Sequence, residues 1–235
     1  MKRVRFDDDA AWSPGTDFSS SPVLSRFMED SASRLKVVIG PVGSGKTRAC
    51  VVECGLRRPA MQAPDARGVR RFRLGIVRAT YPQLLTTTLA EWLAVFPRSK
   101  FPNLRETPPM QHDIEIPLAD GTRIELTAVF LSAESPEDED KLLSLNATGF
   151  FFNEIREIPK NVVIQAIKRC RWFPPKDAVK PTWGAVVGDT NPPYDGMWLY
   201  DYAEGREKPP ETWKIYRQPP AVHEVEWRKG AVCPG

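Results

Sequence analysis

The sequence lacks long hydrophobic runs and carries little net charge. No apolar stretch approaches the roughly 20 residues that a membrane-spanning helix needs, and the mean hydropathy is -0.38. The formal net charge is +3, from 33 basic and 30 acidic residues. This balance excludes a histone-like polycation but leaves room for a local basic groove. The first residues, MKRVRFDDDAAWSPG, contain no apolar segment of the kind found in secretory signals.

Cysteine and histidine are scarce. The four cysteines are Cys50, Cys54, Cys170 and Cys233. Cys50 and Cys54 are four residues apart on a predicted helix, and no histidine or second cysteine pair accompanies them to complete a zinc site. We therefore expect free thiols, as in a cytosolic protein.

The length and composition favour one α/β domain. A chain of 235 residues with 41% hydrophobic residues can bury a sizeable core, and the 23 prolines indicate many loops. We expect a loosely ordered arm over residues 1–22 and a core over 23–200. Residues 201–235 are predicted to form a Pro- and aromatic-rich extension, with irregular structure from about residue 197.

Strand and helix patterns alternate along the predicted core. This alternation predicts a mostly parallel sheet flanked by helices on both sides. An Asp-Gly pair at 120–121 predicts a hairpin turn. The predicted strands are 35–39, 72–78, 149–152 and 183–187, and the predicted helices are 47–56, 82–96 and 161–171.

Residues 40–47, GPVGSGKT, match the phosphate-binding pattern G-x-x-x-x-G-K-[ST] at every fixed position. Glycines let the backbone curl so that successive N–H groups face an anion. Lys46 is expected to reach the β- and γ-phosphates and Thr47 to bind Mg²⁺, so ATP and Mg²⁺ are the predicted cofactors. The predicted nucleotide-binding residues are Pro41, Val42, Gly43, Ser44, Gly45, Lys46, Thr47 and Arg48.

Asn153 and Glu154 follow an apolar strand and would stand at its tip. Glu154 is predicted to be the catalytic carboxylate that orients and deprotonates water, with Lys46 as the second catalytic residue. Asn153 stands where Asp is commoner, and its carbonyl oxygen could still bind a metal-held water. The alternative for Glu154 is a structural charge at the start of a helix. The acidic run over 134–140 is expected to be a solvated loop.

Four segments together resemble the ATPase domain of the large terminase subunit of tailed bacteriophages, a DNA-packaging motor. They are GPVGSGKT (40–47), VRATYPQLLTTTLAEW (77–92), FFNEIREIPK (151–160) and GDTNPP (188–193). The resemblance implies a three-layer P-loop NTPase of the ASCE/RecA-helicase-like type that hydrolyses ATP with Mg²⁺ and translocates double-stranded DNA into the prohead. It also implies that Thr190 and Asn191 form the motif that couples hydrolysis to DNA movement.

The same resemblance implies partners and a location. We expect the isolated chain to be a monomer and to assemble into a pentameric ring on the prohead. The expected protein partners are the portal protein and the small terminase subunit. The expected location is the host cytoplasm, and no membrane association is expected. The family also has a C-terminal nuclease domain, for which this chain leaves no room, so we expect an isolated ATPase domain without nuclease activity.

Hydrolysis in ring motors of this kind usually needs an arginine from the neighbouring subunit, which offsets the charge that develops in the transition state. The candidates are Arg156, Arg169, Arg171 and Lys141, and none stands out. DNA contact is expected to use the backbone without sequence preference. The candidate surface for DNA contact is a basic stretch in which Asp65 is the only acidic residue. The alternative is that this stretch is simply a solvated basic face. Its basic residues are Arg57, Arg58, Arg67, Arg70, Arg71, Arg73 and Arg78.

Three other functions stay open on the sequence alone. A helicase-like, nucleic-acid-dependent P-loop ATPase would unwind strands. A binding-only pseudo-ATPase is suggested by Asn153 and by the poor arginine candidates. A small-molecule P-loop kinase is the weakest, because nothing resembles an acceptor-binding lid.

Overall fold

A computed structural model describes residues 18, 21–175 and 179–219. Most of the predicted arm therefore lies outside the described residues, as do Cys233 and the rest of residues 220–235. Cys50, Cys54 and Cys170 are free thiols, as expected, and the structure buries all three. Within the described ranges, no helix combines the length and the apolar character that crossing a bilayer demands.

The described residues contain a single sheet of eight strands. The strands are β1 (Leu35–Ile39), β2 (Val69–Arg78), β3 (Leu104–Arg105), β4 (Met110–Pro117), β5 (Arg123–Ser132), β6 (Gly149–Asn153), β7 (Val186–Thr190) and β8 (Trp213–Arg217). Their order across the sheet is β3-β4-β5-β2-β6-β7-β1-β8. The six strands from β5 to β8 in this order are parallel, whereas β4 pairs antiparallel with both β3 and β5.

Helices cover both faces of the sheet. Side chains of β1 and β6 alternate between two hydrophobic clusters, with Val38 and Phe151 on one face and Val37 and Phe152 on the other. The predicted three-layer α/β fold with a mostly parallel sheet is thereby confirmed. The helices are α1 (Pro22–Glu29), α2 (Lys46–Val52), α3 (Arg58–Met61), α4 (Tyr81–Gln83), α5 (Leu89–Val95), α6 (Pro136–Ser144), α7 (Lys160–Arg169) and α8 (Tyr200–Ala203).

The helices predicted after β1 and β2 are present, and each contains a π-helical segment. Residues Glu53–Arg57 join α2 to α3, and Leu84–Thr88 join α4 to α5. Gly55 lies in the first segment, where a Cβ atom would stand 2.7 Å from the Phe96 ring and 3.0 Å from Trp92. Glycine at this position therefore lets the two helical runs approach closely.

Some predicted boundaries differ from the structure, and so does one predicted loop. The strand predicted over 183–187 instead spans Val186–Thr190, so its last residues are the polar Asp189 and Thr190, both fully buried. The acidic run was predicted as a loop, but much of it belongs to α6. The Ser135 hydroxyl accepts a hydrogen bond from the Asp138 amide at 3.2 Å, which caps this helix.

The expectation of irregular structure from residue 197 is wrong for α8 and β8. β8 pairs in parallel with β1, from Leu35 opposite Trp213 to Ile39 opposite Arg217. The Trp213 ring packs edge-on against Trp198 at 6.3 Å and Tyr202 at 5.8 Å. These aromatic side chains bury one face of an edge strand, so the sheet continues to Arg217, past the boundary expected at residue 200.

Candidate active site

Three neighbouring parallel strands end at one place in the structure. β7 lies between β1, which leads into the loop 40–45, and β6, which leads into Glu154. The register places Ile39 beside Thr190, and Asn153 beside Asp189. Ligand sites in parallel α/β sheets lie at the carboxyl ends of such strands, so this edge is the candidate active site.

The loop after β1 has the backbone that its sequence predicts. Gly43 and Gly45 adopt φ angles of 77° and 79°, a left-handed conformation that costs glycine little. The Ser44 amide donates to the Pro41 carbonyl at 3.3 Å, which closes the turn. Helix α2 then begins at Lys46, so the two chemically active side chains of the motif follow the turn directly.

Lys46 is buried and joins this loop to the end of β7. Its Nζ donates hydrogen bonds to Asn191 Oδ1 at 2.9 Å and to the Pro41 carbonyl at 3.2 Å. The predicted phosphate-binding lysine and the predicted coupling residue are therefore in direct contact.

Thr47 contacts a carboxylate that our sequence analysis did not single out. Its hydroxyl donates a short hydrogen bond to Asp189. Asp189 is fully buried and also accepts from Asn153 Nδ2 at 2.9 Å and from the Glu154 amide at 3.1 Å. Burial raises the pKa of Asp189, although the hydrogen bonds from Thr47 and Asn153 oppose this effect.

A sequence signal for Asp189 did exist. Asn153 lacks the charge that a metal-binding carboxylate would supply, and Asp189 is an acid two residues after the next predicted strand. The two residues meet because β6 and β7 are adjacent, which the sequence does not show.

Asn153 is held between two side chains. Its amide nitrogen donates to Asp189, and its carbonyl oxygen accepts from the Thr88 hydroxyl at 2.7 Å. The oxygen that we predicted for a metal-held water is thus engaged by Thr88 in this structure.

Glu154 has a left-handed backbone, with φ 53° and ψ 54°. Non-glycine residues in this region cost about 1–3 kcal/mol and cluster at functional sites. Glu154 Oε2 accepts from Thr190 Oγ1 at 3.0 Å and from the Asn191 amide at 3.1 Å. Glu154 directly precedes the helical turn Ile155–Glu157, so the alternative of a charge at a helix start stays open, although the side chain makes no capping hydrogen bond to that turn and faces β7.

Of the four arginine-finger candidates, the structure brings Arg156 alone to this site. Its Nε lies 3.4 Å from Glu154 Oε2, and its guanidinium donates to the Pro192 carbonyl at 2.7 Å. The others lie elsewhere on the chain: Arg169 is 5.8 Å from the Trp172 ring, Arg171 donates to the Pro181 carbonyl, and Lys141 pairs with Asp138. Whether any of them serves a neighbouring subunit stays a prediction.

The basic stretch does not form one exposed basic face. Arg58 is 1% exposed beside Glu53, and Arg78 is 6% exposed beside Glu157. Asp65 is the only acidic residue within the stretch, but other segments of the chain supply further partners. Arg70 pairs with Asp120, Arg71 with Asp65 and Glu125, and Arg73 stacks on Phe173.

Solved structures of a phage protein have the same architecture. The large terminase from a thermophilic bacteriophage matches with a TM-score of 0.56 and 12% identity over 84% of this chain and 45% of that one. Its complex with ADP matches with a TM-score of 0.56 and 14% identity over the same shares. Its complex with ATP-gamma-S matches at 0.50 and 14%, over 84% and 44%. This chain shares its fold with large terminases.

The expected resemblance to large terminases is thus confirmed at the level of the fold. This chain spans less than half the length of the thermophilic phage terminase in those structures. No family model and no curated protein matches the chain.

The side chains at this site suit a nucleotide-bound magnesium ion. Hydroxyl and carboxylate oxygens, as in Thr47 and Asp189, are ligands that Mg²⁺ prefers, and nucleotide phosphates commonly complete its shell. Within the described part of the chain, no group of three His, Cys, Asp or Glu side chains could hold a metal by itself.

Proposed function

We propose that this chain is the ATPase motor domain of a viral terminase large subunit, which hydrolyses ATP to translocate double-stranded DNA into a prohead. The observation that carries the proposal is the double contact of Asn191. Its side chain accepts from Lys46, and its backbone amide donates to Glu154. One residue at the end of β7 is thus in contact with both the phosphate-binding lysine and the candidate base.

The residues divide the work of hydrolysis. The loop amides and Lys46 bind and neutralise the phosphates, and Thr47 would hold Mg²⁺, which supplies positive charge at the phosphate oxygens. Glu154 orients the attacking water and accepts its proton. Thr190 and Asn191 contact Glu154 directly. A structural change at Glu154 when the outermost phosphate is lost can therefore be transmitted to β7 through these two residues.

The shared fold supports nucleotide chemistry, because the large terminase of the thermophilic phage was solved with ADP and with ATP-gamma-S. The wider assembly is part of the same proposal. It comprises non-sequence-specific duplex DNA, the portal protein, the small terminase subunit and a pentameric ring in the host cytoplasm, with the isolated chain monomeric.

Two substitutions test the hydrolytic site. Glu154→Gln should keep ATP affinity and lower kcat by about 10²–10⁴-fold, the usual contribution of a general base. Lys46→Ala should lose nucleotide binding itself. Glu211→Gln, an exposed site, is the matched control and should behave as wild type. Near-normal hydrolysis by Glu154→Gln would show that the base is assigned wrongly.

Two further assays separate the alternatives. Strand displacement on a forked duplex would favour a helicase-like ATPase, whereas movement along duplex DNA without unwinding supports the packaging motor. Nucleotide binding without turnover, even in the assembled ring with DNA, would favour a pseudo-ATPase.

A further inference from the structure

Asp189 lies at the centre of the site, on the strand between the two that lead into the phosphate-binding loop and Glu154. Its strand neighbours are Val38 in β1 and Asn153 in β6. We propose that Asp189 provides the carboxylate that binds the Mg²⁺ accompanying the nucleotide. Asn153 cannot supply this carboxylate because its side chain is neutral. The inference rests on the proposed function and refines its metal site.

The first support is the contact with Thr47. The phosphate-loop pattern assigns the Thr47 hydroxyl to Mg²⁺, and this hydroxyl donates directly to Asp189 Oδ2. An ion bound by Thr47 therefore has a carboxylate beside it, from a different strand than the one that carries the catalytic Glu154.

The second support is the uncompensated charge of Asp189. Its hydrogen-bond donors are all neutral: a hydroxyl, a side-chain amide and a backbone amide. Among the residues that the structure describes, no Lys, Arg or His forms an ion pair with it. A fully buried carboxylate without a cation is costly, and a divalent cation at Thr47 would supply the missing charge.

The third support is the way in which Asn153 complements Asp189. The Asn153 amide nitrogen faces the carboxylate at 2.9 Å. The opposite orientation of this amide would set its oxygen against a carboxylate oxygen, so chemistry fixes the orientation shown. An Asp at position 153 would place two buried carboxylates at this distance, where like charges repel. Asn153 is thus a positioning residue for Asp189. An uncharged amide at position 153 suits this contact because the neighbouring strand already carries a carboxylate.

The test measures how Mg²⁺ changes ADP affinity, with a fluorescent ADP analogue, in excess Mg²⁺ and in EDTA. Wild type should bind ADP more tightly with Mg²⁺. Asp189→Asn should match wild type in EDTA but require about 10-fold to 100-fold more Mg²⁺ for the same gain, as substitutions around a metal ligand do. The double variant Asn153→Asp/Asp189→Asn exchanges the carboxylate and the amide and should recover part of the gain.

Asp195→Asn is the matched control, since its side chain is 86% exposed in the same loop region, and it should respond to Mg²⁺ as wild type does. A full Mg²⁺ response in Asp189→Asn would overturn the inference while leaving nucleotide binding intact. Absence of ADP binding by wild type in both conditions would instead refute the proposed function.

The metal-free Asp189→Asn protein should fold and melt no lower than wild type, because it loses an uncompensated buried charge. Failure to fold would overturn the inference by making Asp189 a structural residue.

Discussion

Asn191 accepts a hydrogen bond from the Lys46 ammonium at 2.9 Å, which ties the end of β7 to the phosphate-binding loop. The same residue reaches Glu154 through its backbone amide at 3.1 Å. A side-chain substitution at position 191 removes the first contact and spares the second. The two halves of the site can therefore be separated by experiment.

Asn191→Ala should lower kcat for ATP hydrolysis by up to about 100-fold, because a misplaced catalytic group costs this much. ADP affinity should change little, since the loop and Lys46 remain. Steady-state kinetics and ADP titration on the same preparation would check this. A loss of ADP affinity as severe as that of Lys46→Ala would mean that Asn191 acts in binding rather than in turnover.

Glu53→Gln should destabilise the protein by about 3–5 kcal/mol. Among the residues that the structure describes, Glu53 is the only carboxylate paired with the buried Lys36 and Arg58, and the substitution removes its charge. Glu53 is fully buried and pairs with Lys36 in β1 and with Arg58 at 2.6 Å. Urea unfolding measures the change, and Glu29→Gln, at an exposed site on α1, is the control. A loss within about 0.5 kcal/mol, as at ordinary surface sites, would contradict this account.

Asp30 should make stability depend on acid pH. Burial raises its pKa, but hydrogen bonds from Ser33, Tyr216 and Ala32 outweigh this and lower the pKa from 3.8 to about 2. The unfolded state therefore binds more protons between these values, so stability is lost as pH falls from 3.8 toward 2. Asp30→Asn should reduce this loss, measured as the melting temperature across that range.

Tyr216→Phe is the companion to Asp30→Asn, because the Tyr216 hydroxyl donates to Asp30 at 2.9 Å from β8. It should cost about 1 kcal/mol at neutral pH, the net worth of one hydrogen bond, and give an intermediate acid dependence. An acid dependence in Asp30→Asn identical to that of wild type would show that Asp30 does not titrate as described.

Gly75→Ala should destabilise the sheet by about 1–3 kcal/mol through overpacking. A Cβ atom on Gly75 in β2 would stand 2.4 Å from the Phe150 ring in the adjacent β6. Phe150→Leu in the same chain should relieve part of this cost, so a double-mutant cycle by urea unfolding should give a coupling energy. Additive effects would show that the two positions do not meet.

Much of the site was predictable because its signals are local. The loop 40–47 needs its glycines and Lys46 at set spacings within one turn, and Glu154 follows an apolar strand directly. The core strands and helices also followed from hydrophobic periodicity. β8 escaped prediction because an edge strand is only half buried, and its aromatic side chains pack on Trp198 and Tyr202 rather than forming an apolar run.

Pairings between distant segments were invisible in the linear chain. Asp65 is the only acid among the arginines of 57–78 in the sequence, yet Asp120, Glu125 and Glu157 contact them from later strands and turns. The contact of Asp189 with Thr47 and Asn153 joins residues from three segments. The spacing of residues along one strand or turn can be read directly from the sequence. Which strands are neighbours depends on the packing of the whole sheet. The loop 40–45 and the position of Glu154 belong to the first kind of information, and the buried carboxylate of Asp189 between them belongs to the second.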